Sequence, residues 1–409
     1  MTHAPDADLL IAGGGNTGAA LALAAASAGL SVILIDPEPV ARRAAPDFDG
    51  RAYALAAASV RMLTALGVWP AVAAEAEAMR AIEILDGRLG DPGPVRLRFE
   101  AEDLDSAPFA VLLEDRFLRG ALLDAVAAEP RITHLSPARV VDHEAGPAGA
   151  VATLDDGRRL SAGVIAACDG KRSLTAARAG VTWARGRYDQ IGLVCAVACE
   201  TPHAGVARQV FYPGGPFAML PLPGDRVSIV WSERVREARR IAALDDRGYA
   251  AEIALRAGGL LGRVALAGRR WAYPLDFSLA YSFVGPRLAV VGDAAHGFHP
   301  IAGQGFNLAL RDAAALAETL AEARRRGEDI GAPAVLERYQ QWRRFDSTAY
   351  GAATDGLNRL FSSDFAPLRA LRDAGLGAVS RLPALKRAFM ASAAGASGAA
   401  PRLLRGERP

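Results

Sequence analysis

Lysine and cysteine are both scarce in this chain of 409 residues. The chain is nevertheless not acidic, because arginine supplies the positive charge that lysine does not. The positive charge is almost all arginine, because Lys171 and Lys386 are the only lysines. The formal net charge is +2, whereas a protein whose main partner is nucleic acid needs a concentrated basic surface. The composition therefore argues against a nucleic-acid partner.

The three cysteines are Cys168, Cys195 and Cys199. An odd and sparse set gives no disulfide framework and is typical of a reducing cytoplasm. Residues 191–199 read as a strand, so Cys195 and Cys199 are expected on one face of it as small apolar fillers. A metal site would need more ligands nearby than this stretch offers.

A membrane-spanning segment is not expected either. Residues 9–35 carry no charge and are long enough to cross a bilayer on length alone. However, Gly13, Gly14 and Gly15 break the run early, and no basic region precedes it as in a signal peptide. A strand, a tight turn, a buried helix and a second strand explain the segment better.

The order of elements predicts an α/β protein of two or three lobes. A strand at 9–12, a helix at 16–29 that ends at Gly29 and a strand at 31–35 imply a right-handed parallel crossover. Strand-like runs between Gly/Pro turns at 183–277 predict an inserted antiparallel sheet lobe, with one helical stretch near 236–257. A buried strand at 288–291 is expected to lead through a glycine-rich turn into a helix. The chain beyond residue 312 is expected to be mostly helical, and the tail at 391–409 is expected to fray.

The first motif is the run from Gly13 to Gly18, a G-x-G-x-x-G that follows a strand and opens a helix. Gly13 permits the tight turn, Gly15 lets a pyrophosphate approach the backbone, and Gly18 allows close packing of helix on strand. The helix N-terminus favours the anion. Asp36 ends the second strand at the distance expected of a residue that accepts a hydrogen bond from a ribose hydroxyl.

The second motif lies late in the chain. Gly292 and Asp293 follow a buried strand, and an aspartate there can bind the ribityl hydroxyls of a flavin. Residues 299–308 form a glycine-containing turn into a helix, whose N-terminus could stabilise the negative charge that develops on a flavin when it is reduced.

These motifs, with Asp169-Gly170 in mid-chain, resemble those of the single-component, group A flavin monooxygenases. The string at 299–312, HPIAGQGFNLALRD, looks like the signature of the ubiquinone-biosynthesis flavin hydroxylases (UbiH/UbiF-like). Local matches at 49–55, 217–222, 360–364 and 382–387 extend the resemblance over most of the chain.

The resemblance implies a Rossmann-like FAD-binding domain of the para-hydroxybenzoate-hydroxylase type, with an inserted antiparallel-sheet substrate lobe and C-terminal helices. It assigns residues 1–75, 105–180 and 280–350 to the FAD-binding domain. Residues 76–104 and 181–279 would form the substrate lobe, and residues 351–409 the C-terminal helical region.

The same resemblance assigns roles to individual residues. FAD would be the cofactor, with NAD(P)H and O2 as co-substrates. The residues expected to contact FAD are Gly13, Gly15, Gly18 and Asp36 (ADP half), Arg51 (pyrophosphate), Asp115 and Asp293 with Gly292 (ribityl chain), Pro300, Gly303, Gln304, Gly305 and Asn307 (isoalloxazine), and Asp169 with Gly170.

Two positions depart from the family pattern. The Asp-Gly motif usually runs D-G-x-x-S-x-x-R, but this chain has Ala176 in place of the last arginine, and Arg172 or Arg178 is a candidate substitute. Because this motif is tied to the use of NAD(P)H, the departure concerns the step in which NAD(P)H binds and reduces the flavin. At Asp115 the family often has Asn or Gln, and an ionised aspartate can accept but not donate a hydrogen bond.

The implied reaction is hydroxylation of the aromatic ring of a (poly)prenylated ubiquinone precursor through a C4a-hydroperoxyflavin. The alternatives are a hydroxylase of a small soluble phenol and a non-catalytic flavoprotein scaffold in a biosynthetic complex. A lipophilic aromatic substrate and other quinone-biosynthesis proteins are the expected partners. The expected location is the cytoplasm, with peripheral contact at the inner face of the cytoplasmic membrane as one interpretation of the apolar and basic residues at 368–390. His296 and His299 lack the further ligands of a metal site, and no catalytic base is evident.

Overall fold

A computed structural model describes residues 5–45, 47–48, 50–101, 108, 110–301, 303–361 and 399–409 of the chain. The predicted helical segments between residues 362 and 398 lie outside the described residues. None of the helices within the described ranges is long and apolar enough to cross a membrane.

The strands alternate with helices in the first third of the chain and then dominate. The strands are β1 (Ala7–Ala12), β2 (Val32–Ile35), β3 (Ala52–Ala56), β4 (Glu77–Met79), β5 (Ala81–Asp86), β6 (Val95–Glu100), β7 (Ala110–Glu114), β8 (Ile132–Leu135), β9 (Val140–Gly146), β10 (Gly149–Leu154), β11 (Arg159–Ala167), β12 (Trp183–Cys199), β13 (Val206–Tyr212), β14 (Gly215–Leu222), β15 (Arg226–Arg234), β16 (Val264–Leu266), β17 (Trp271–Ala280), β18 (Val284–Gly285), β19 (Leu288–Val290) and β20 (His296–Gly297). The helices are α1 (Asn16–Ser27), α2 (Val40–Arg43), α3 (Ala57–Ala65), α4 (Asp115–Ala128), α5 (Leu174–Arg178), α6 (Val235–Ala242), α7 (Asp246–Ala257), α8 (Gly305–Arg325) and α9 (Pro333–Phe361).

The first sheet has the order β18-β19-β11-β1-β2-β8, with β10 and β9 added beside β11. The strands β19, β11, β1, β2 and β8 are parallel to one another. The predicted crossover from β1 through α1 to β2 is confirmed, and Gly29 follows α1 with a positive φ of 86°. Because parallel strands end at the same edge, the turns after β1, β2, β11 and β19 meet there.

The second sheet has the order β20-β17-β12-β15-β14-β13-β5-β6, with β16 beside β12. Its pairs are antiparallel except for β13 with β5, which is parallel. The prediction of an antiparallel lobe is therefore right for most of the sheet, but β17 and β20 were not predicted. Cys195 and Cys199 are buried in its core as expected. A third, small sheet has the order β3-β7-β4.

Small side chains allow the helices to approach each other closely. Nine of the twelve residues of α1 are buried, and seven of these nine are alanine or glycine. This helix packs against α8 and α4, and α8 is itself buried along most of its length. The N-termini of α1 and α8 therefore lie near the same edge of the parallel sheet.

One helix prediction was wrong, and a second is confirmed with a break in it. The strand β19 does not lead directly into a helix: one 3-10 turn at Gly292–Ala294 and the short strand β20 follow, because His296 pairs with Leu279 of the second sheet. The helical stretch predicted near 236–257 is two helices, because Asp245 caps α7, accepting a hydrogen bond from the Gly248 N–H at 2.8 Å. The domain boundaries remain predictions.

Candidate cofactor and substrate site

The turn after β1 is held tightly against the end of β11. Gly13 has φ of +107°, a conformation that favours glycine. Its N–H donates to the Ile35 carbonyl at 2.8 Å. A Cβ atom on Gly13 would lie 2.5 Å from the Cys168 carbonyl oxygen, so no other residue fits this turn without a shift.

The other two fingerprint glycines differ in what surrounds them. A Cβ on Gly18 would overlap the Gly13 carbonyl oxygen, whereas a Cβ on Gly15 would meet no heavy atom within 4 Å. Gly15 caps α1 with no side-chain hydrogen bond, so the first N–H groups of the helix are not capped by a side chain. This open, uncapped helix N-terminus has the features that a pyrophosphate needs.

Asp36 follows β2, as predicted, but its carboxylate faces inward. It is fully buried and accepts hydrogen bonds from the N–H groups of Gly14 and Glu38, each at 2.7 Å. Arg43 forms an ion pair with it at 2.8 Å. The carboxylate therefore holds the glycine turn and the segment after β2 together. Arg43 was not among the predicted site residues, although a cation seven residues after a strand-ending aspartate is visible in the sequence.

Arg51 and Asp115, predicted as separate FAD contacts, are partners of each other. Asp115 begins α4 and its Oδ2 lies 3.2 Å from Arg51 and 2.6 Å from Arg119. Its Oδ1 accepts a hydrogen bond from the Asn16 side chain at 2.9 Å. Two arginines thus balance the charge of Asp115 beside the N-terminus of α1, and the Arg51 side chain keeps 46% of its surface exposed.

Tyr53 is a site residue that the sequence analysis did not name. Its hydroxyl is 3.4 Å from the Asn16 side chain, and its ring centroid is 4.7 Å from that of Phe306, in the first turn of α8. Burial, followed by the nearby charge of Asp115, raises the pKa of Tyr53 well above its usual value. The hydroxyl therefore stays protonated, between the two glycine-rich turns.

The turn at Gly292 and Asp293 lies directly against α1 and α8. Gly292 has φ of +63°. A Cβ on Gly292 would lie 3.0 Å from side-chain atoms of both Thr17 and Ala309. Asp293 itself is exposed. The end of β19 therefore meets the glycine fingerprint, and it presents a carboxylate at the surface there.

A buried hydrogen-bond network ties this turn to α8 and α9. Asp312 is fully buried and accepts hydrogen bonds from the Gly292 N–H at 3.0 Å, from His296 at 2.7 Å and from Arg343 at 2.7 Å. Burial alone would raise the pKa of Asp312, but His296 and Arg343 outweigh it and hold the pKa below its usual value. The family signature at 299–312 ends in Asp312 without assigning it a role, and no local pattern marked Arg343, since its partner in the network is distant in sequence.

The N-terminus of α8 is anchored by Asn307. The Asn307 amide accepts from the Ala56 N–H at 3.0 Å and from the Ser59 hydroxyl at 2.7 Å, and it donates to the Ala54 carbonyl at 2.8 Å. It also donates to Gln304 at 3.0 Å. The side chain is thus used for structure, and only the backbone of Asn307 remains for a ligand.

The residues before Asn307 leave the first turn of α8 accessible. Gly303 and Gly305 are exposed, and Pro300 and Gln304 are half-buried. Gln304 begins the helix without a side-chain cap. Uncapped N–H groups at a helix N-terminus favour negative charge in front of them.

The Asp-Gly motif builds its own turn. Asp169 accepts hydrogen bonds from the Ser173 hydroxyl and from the Thr175 hydroxyl, the latter at 2.9 Å. Gly170 has φ of +84°. Ala176, where the family pattern has arginine, is completely buried. A long charged side chain at this position would have to be accommodated in the core.

His296 and His299 face different partners. His296 contacts the Asp312 carboxylate, as described above, whereas His299 Nε2 lies 3.2 Å from the side-chain oxygen of Gln190 in β12. The two rings therefore do not converge on one point, and no group of three metal-binding side chains occurs among the described residues.

A parallel sheet with a glycine-rich turn and an uncapped helix N-terminus at its edge is typical of an α/β protein that binds a dinucleotide such as FAD. The structure is similar to that of p-nitrophenol 4-monooxygenase PnpA from Pseudomonas putida DLL-E4, with a TM-score of 0.78 and 19% identity over 94% of this chain and 96% of that chain. At this identity the likeness shows the fold alone.

Sequence comparison gives the family. Residues 6–350 match the family described as "FAD binding domain". The chain is 42% identical to the ubiquinone hydroxylase UbiL of Rhodospirillum rubrum over 403 residues, 98% of this chain and 93% of that protein. It is 34% identical to the 3-demethoxyubiquinol 3-hydroxylase of Escherichia coli over 400 residues, 97% of this chain and all of that protein. The chain belongs to the ubiquinone-biosynthesis flavin hydroxylase family of FAD-dependent aromatic monooxygenases, as its motifs predicted.

Proposed function

We propose that this chain hydroxylates the aromatic ring of a (poly)prenylated ubiquinone precursor, with FAD, NAD(P)H and O2. The observation that carries the proposal is the close packing of Gly292 on Thr17 and Ala309, because it brings three cofactor motifs to one place. The near full-length similarity to two ubiquinone-pathway hydroxylases supports the substrate class.

The proposed FAD contacts follow the edge of the parallel sheet. Pyrophosphate would lie over Gly15 at the N-terminus of α1, beside Arg51, because that is where space and uncapped N–H groups coincide. The ribose would use the remaining acceptor capacity of Asp36. The exposed Asp293 would accept hydrogen bonds from the ribityl hydroxyls.

The isoalloxazine would lie along Pro300 and the backbone of Gly303 to Asn307. FAD, when bound there, supplies the transfer of two electrons from NAD(P)H and the activation of O2. The protein contributes the N-terminus of α8, which stabilises negative charge. The protonated Tyr53 hydroxyl lies beside Asn16 at the start of α1, and the Tyr53 ring contacts Phe306 in the first turn of α8.

For NAD(P)H, we propose that the segment after Asp169 supplies the positive charge that Ala176 cannot. Arg172 and Arg178 are both exposed in this segment. Asp169 and Gly170 would act by shaping the turn rather than by direct contact, since the carboxylate is bonded to Ser173 and Thr175.

A lipophilic substrate also implies where the protein works. A polyprenylated phenol dissolves in a bilayer, so we propose that the chain works at the inner face of the cytoplasmic membrane, beside other quinone-biosynthesis proteins. Flotation with vesicles tests this location: co-flotation that increases with anionic lipid is the expected result, and no flotation with any vesicle would refute it.

The reaction is tested with purified, FAD-loaded protein and an ortho-prenylated phenol. The expected result is substrate-dependent NAD(P)H oxidation, with one atom of oxygen-18 from labelled O2 in the ring of the product. The unprenylated phenol is the matched control and should react more slowly. NAD(P)H oxidation that yields only hydrogen peroxide with every phenol would refute the proposal, and a preference for the unprenylated phenol would favour a soluble substrate.

A further inference from the structure

The loop that leads into α8 carries a buried histidine whose two ring nitrogens have unequal surroundings. His299 is only 2% exposed. Its Nε2 lies 3.2 Å from Gln190 Oε1, whereas its Nδ1 is buried with no hydrogen-bond partner among the residues that the structure describes. A buried polar atom left without a partner is unfavourable, so Nδ1 is suited to a partner from outside the chain.

The surrounding amides determine which nitrogen of His299 carries the proton. The Gln190 Nε2 donates to the Gly214 carbonyl at 2.9 Å, so the Gln190 oxygen faces His299. Asn358 donates to the same oxygen at 3.2 Å. Because an amide oxygen only accepts, His299 Nε2 must carry a hydrogen.

His299 is also neutral at physiological pH. Burial lowers the pKa of His299 to about 4, against an opposing contribution from the charge of Asp355 in α9. In the neutral ring with a proton on Nε2, the nitrogen Nδ1 is a bare acceptor. The arrangement therefore selects a ligand that donates a hydrogen bond.

An aromatic ring contacts His299, and an apolar cluster lies two residues further along the same loop. The Tyr188 ring stands edge-on to His299, with ring centroids 5.1 Å apart. Two residues along the loop, Ile301 is buried against Phe211, with Ile84 and Leu360 packed beside them. One acceptor next to an apolar cluster matches a molecule with one hydroxyl and a hydrocarbon substituent.

We propose that His299 Nδ1 accepts a hydrogen bond from the ring hydroxyl of the substrate, while Gln190 and Asn358 act as positioning residues that fix its tautomer. The inference rests on the proposed function, which places the isoalloxazine beside Pro300, and it adds the atom that recognises the substrate. A phenol fits this site because its hydroxyl donates, whereas the corresponding ether has no donor. Donation of this hydrogen bond to His299 also raises the electron density on the phenol oxygen and, through it, on the ring carbons. A more electron-rich ring carbon is attacked more readily by an electrophilic oxygen.

Two substitutions separate the two ring nitrogens. His299→Gln keeps a donor that can reach Gln190 but removes the Nδ1 acceptor, whereas His299→Asn keeps an acceptor near the Nδ1 position. A third variant, Gln190→Glu, leaves His299 in place but sets a carboxylate beside Nε2. This favours the protonated ring and turns Nδ1 into a donor.

The measurement is binding of ortho-prenylphenol and of its methyl ether to FAD-loaded protein, followed by the flavin absorbance spectrum. We expect the wild type to prefer the phenol by about tenfold or more, the effect of one buried polar group left unpaired by the ether. His299→Gln should reduce the ratio of the two dissociation constants to near one, and His299→Asn should retain most of it. Gln190→Glu should abolish it, and this variant decides the matter if His299→Gln does not fold.

The outcomes separate the inference from the function on which it rests. If the wild type hydroxylates the phenol but His299→Gln or Gln190→Glu keeps the full preference for the phenol over its ether, the inference is wrong and the function stands. If the wild type binds and oxidises no prenylated phenol, the proposed function itself fails. Equal binding of phenol and ether by an active wild type also overturns the inference.

Discussion

The glycine-rich edge of the parallel sheet and the loop around His299 both contain buried polar groups, but they satisfy them differently. At the sheet edge, Asp36 is bonded to backbone N–H groups and to an arginine within 22 residues of it. Around His299, neutral side chains from three distant elements meet, since Gln190 and Asn358 are 168 residues apart. In the first region the chain itself satisfies the Asp36 carboxylate, whereas in the second His299 Nδ1 has no partner among the described residues. The glycine-rich edge is therefore shaped mainly by local backbone geometry, whereas the loop around His299 is shaped by long-range packing.

The largest effect on stability is expected from breaking the Asp312 network, which ties the Gly292 turn to α8 and α9. Asp312→Ala would remove one of the two carboxylates that pair with the fully buried Arg343, leaving only Asp346, and would free the Gly292 turn and His296. We expect the free energy of unfolding to fall by about 3–5 kcal/mol, measured by urea unfolding of the apoprotein. Glu318→Ala, in the same helix, removes a carboxylate that accepts from one backbone N–H, and it should cost about 1 kcal/mol. Equal effects of the two substitutions would mean that the network adds no stability of its own.

Asp293→Ala tests the cofactor end alone. Removal of an exposed carboxylate that binds two ribityl hydroxyls should weaken FAD binding by about 3 kcal/mol, roughly 150-fold, because hydrogen bonds to charged groups contribute about 1.5–3 kcal/mol each. The protein should purify colourless but folded, as judged by circular dichroism. Asp124→Ala, on the exposed side of α4, is the control. Full retention of yellow flavin by the Asp293 variant would contradict the placement.

Two glycines sharpen the distinction between folding and binding. Gly18→Ala inserts a methyl group into the Gly13 carbonyl, so it should destabilise the apoprotein by about 1–3 kcal/mol. Gly15→Ala meets open space with φ of −64°, so its stability should stay within about 0.5 kcal/mol while FAD affinity falls. Thermal unfolding without FAD and flavin titration separate the two quantities. If Gly15→Ala binds FAD as the wild type does, pyrophosphate does not lie over that residue.

The last prediction concerns acid stability at the His299 loop. Because the folded-state pKa of His299 is lowered to about 4 from 6.5, the unfolded chain binds this proton first. Stability is therefore full above pH 6.5, falls as the pH drops from 6.5 to 4, and falls no further below that on this account. His299→Gln should show a shallower loss of unfolding free energy across this window. His134 and His143, whose pKa values burial also lowers, contribute equally to both proteins. Identical slopes would show that His299 is not the group that titrates.

The elements that could be predicted from the sequence are those that depend on a few neighbouring residues. The glycine fingerprint, the strands on either side of α1 and the Gly292-Asp293 turn depend on φ angles, small side chains and apolar runs, which neighbouring residues dictate. The family motifs predicted FAD as the cofactor for the same reason, since each motif is a short run of neighbouring residues. After the Gly292-Asp293 turn the chain has no strong local signal, and the helix predicted there was wrong.

Which polar groups meet depends on how the sheets and helices pack. The inward turn of the Asp36 carboxylate, the pairing of Arg51 with Asp115, the Asp312 network and the Gln190 partner of His299 join residues 7 to 109 positions apart. The partner that satisfies a buried hydrogen-bonding group is set by sheet order and helix packing, and no spacing along the chain encodes it. For this reason the sequence could propose where FAD binds, whereas the Gln190 partner of His299, and the His299 Nδ1 left without a partner among the described residues, emerged only from the fold.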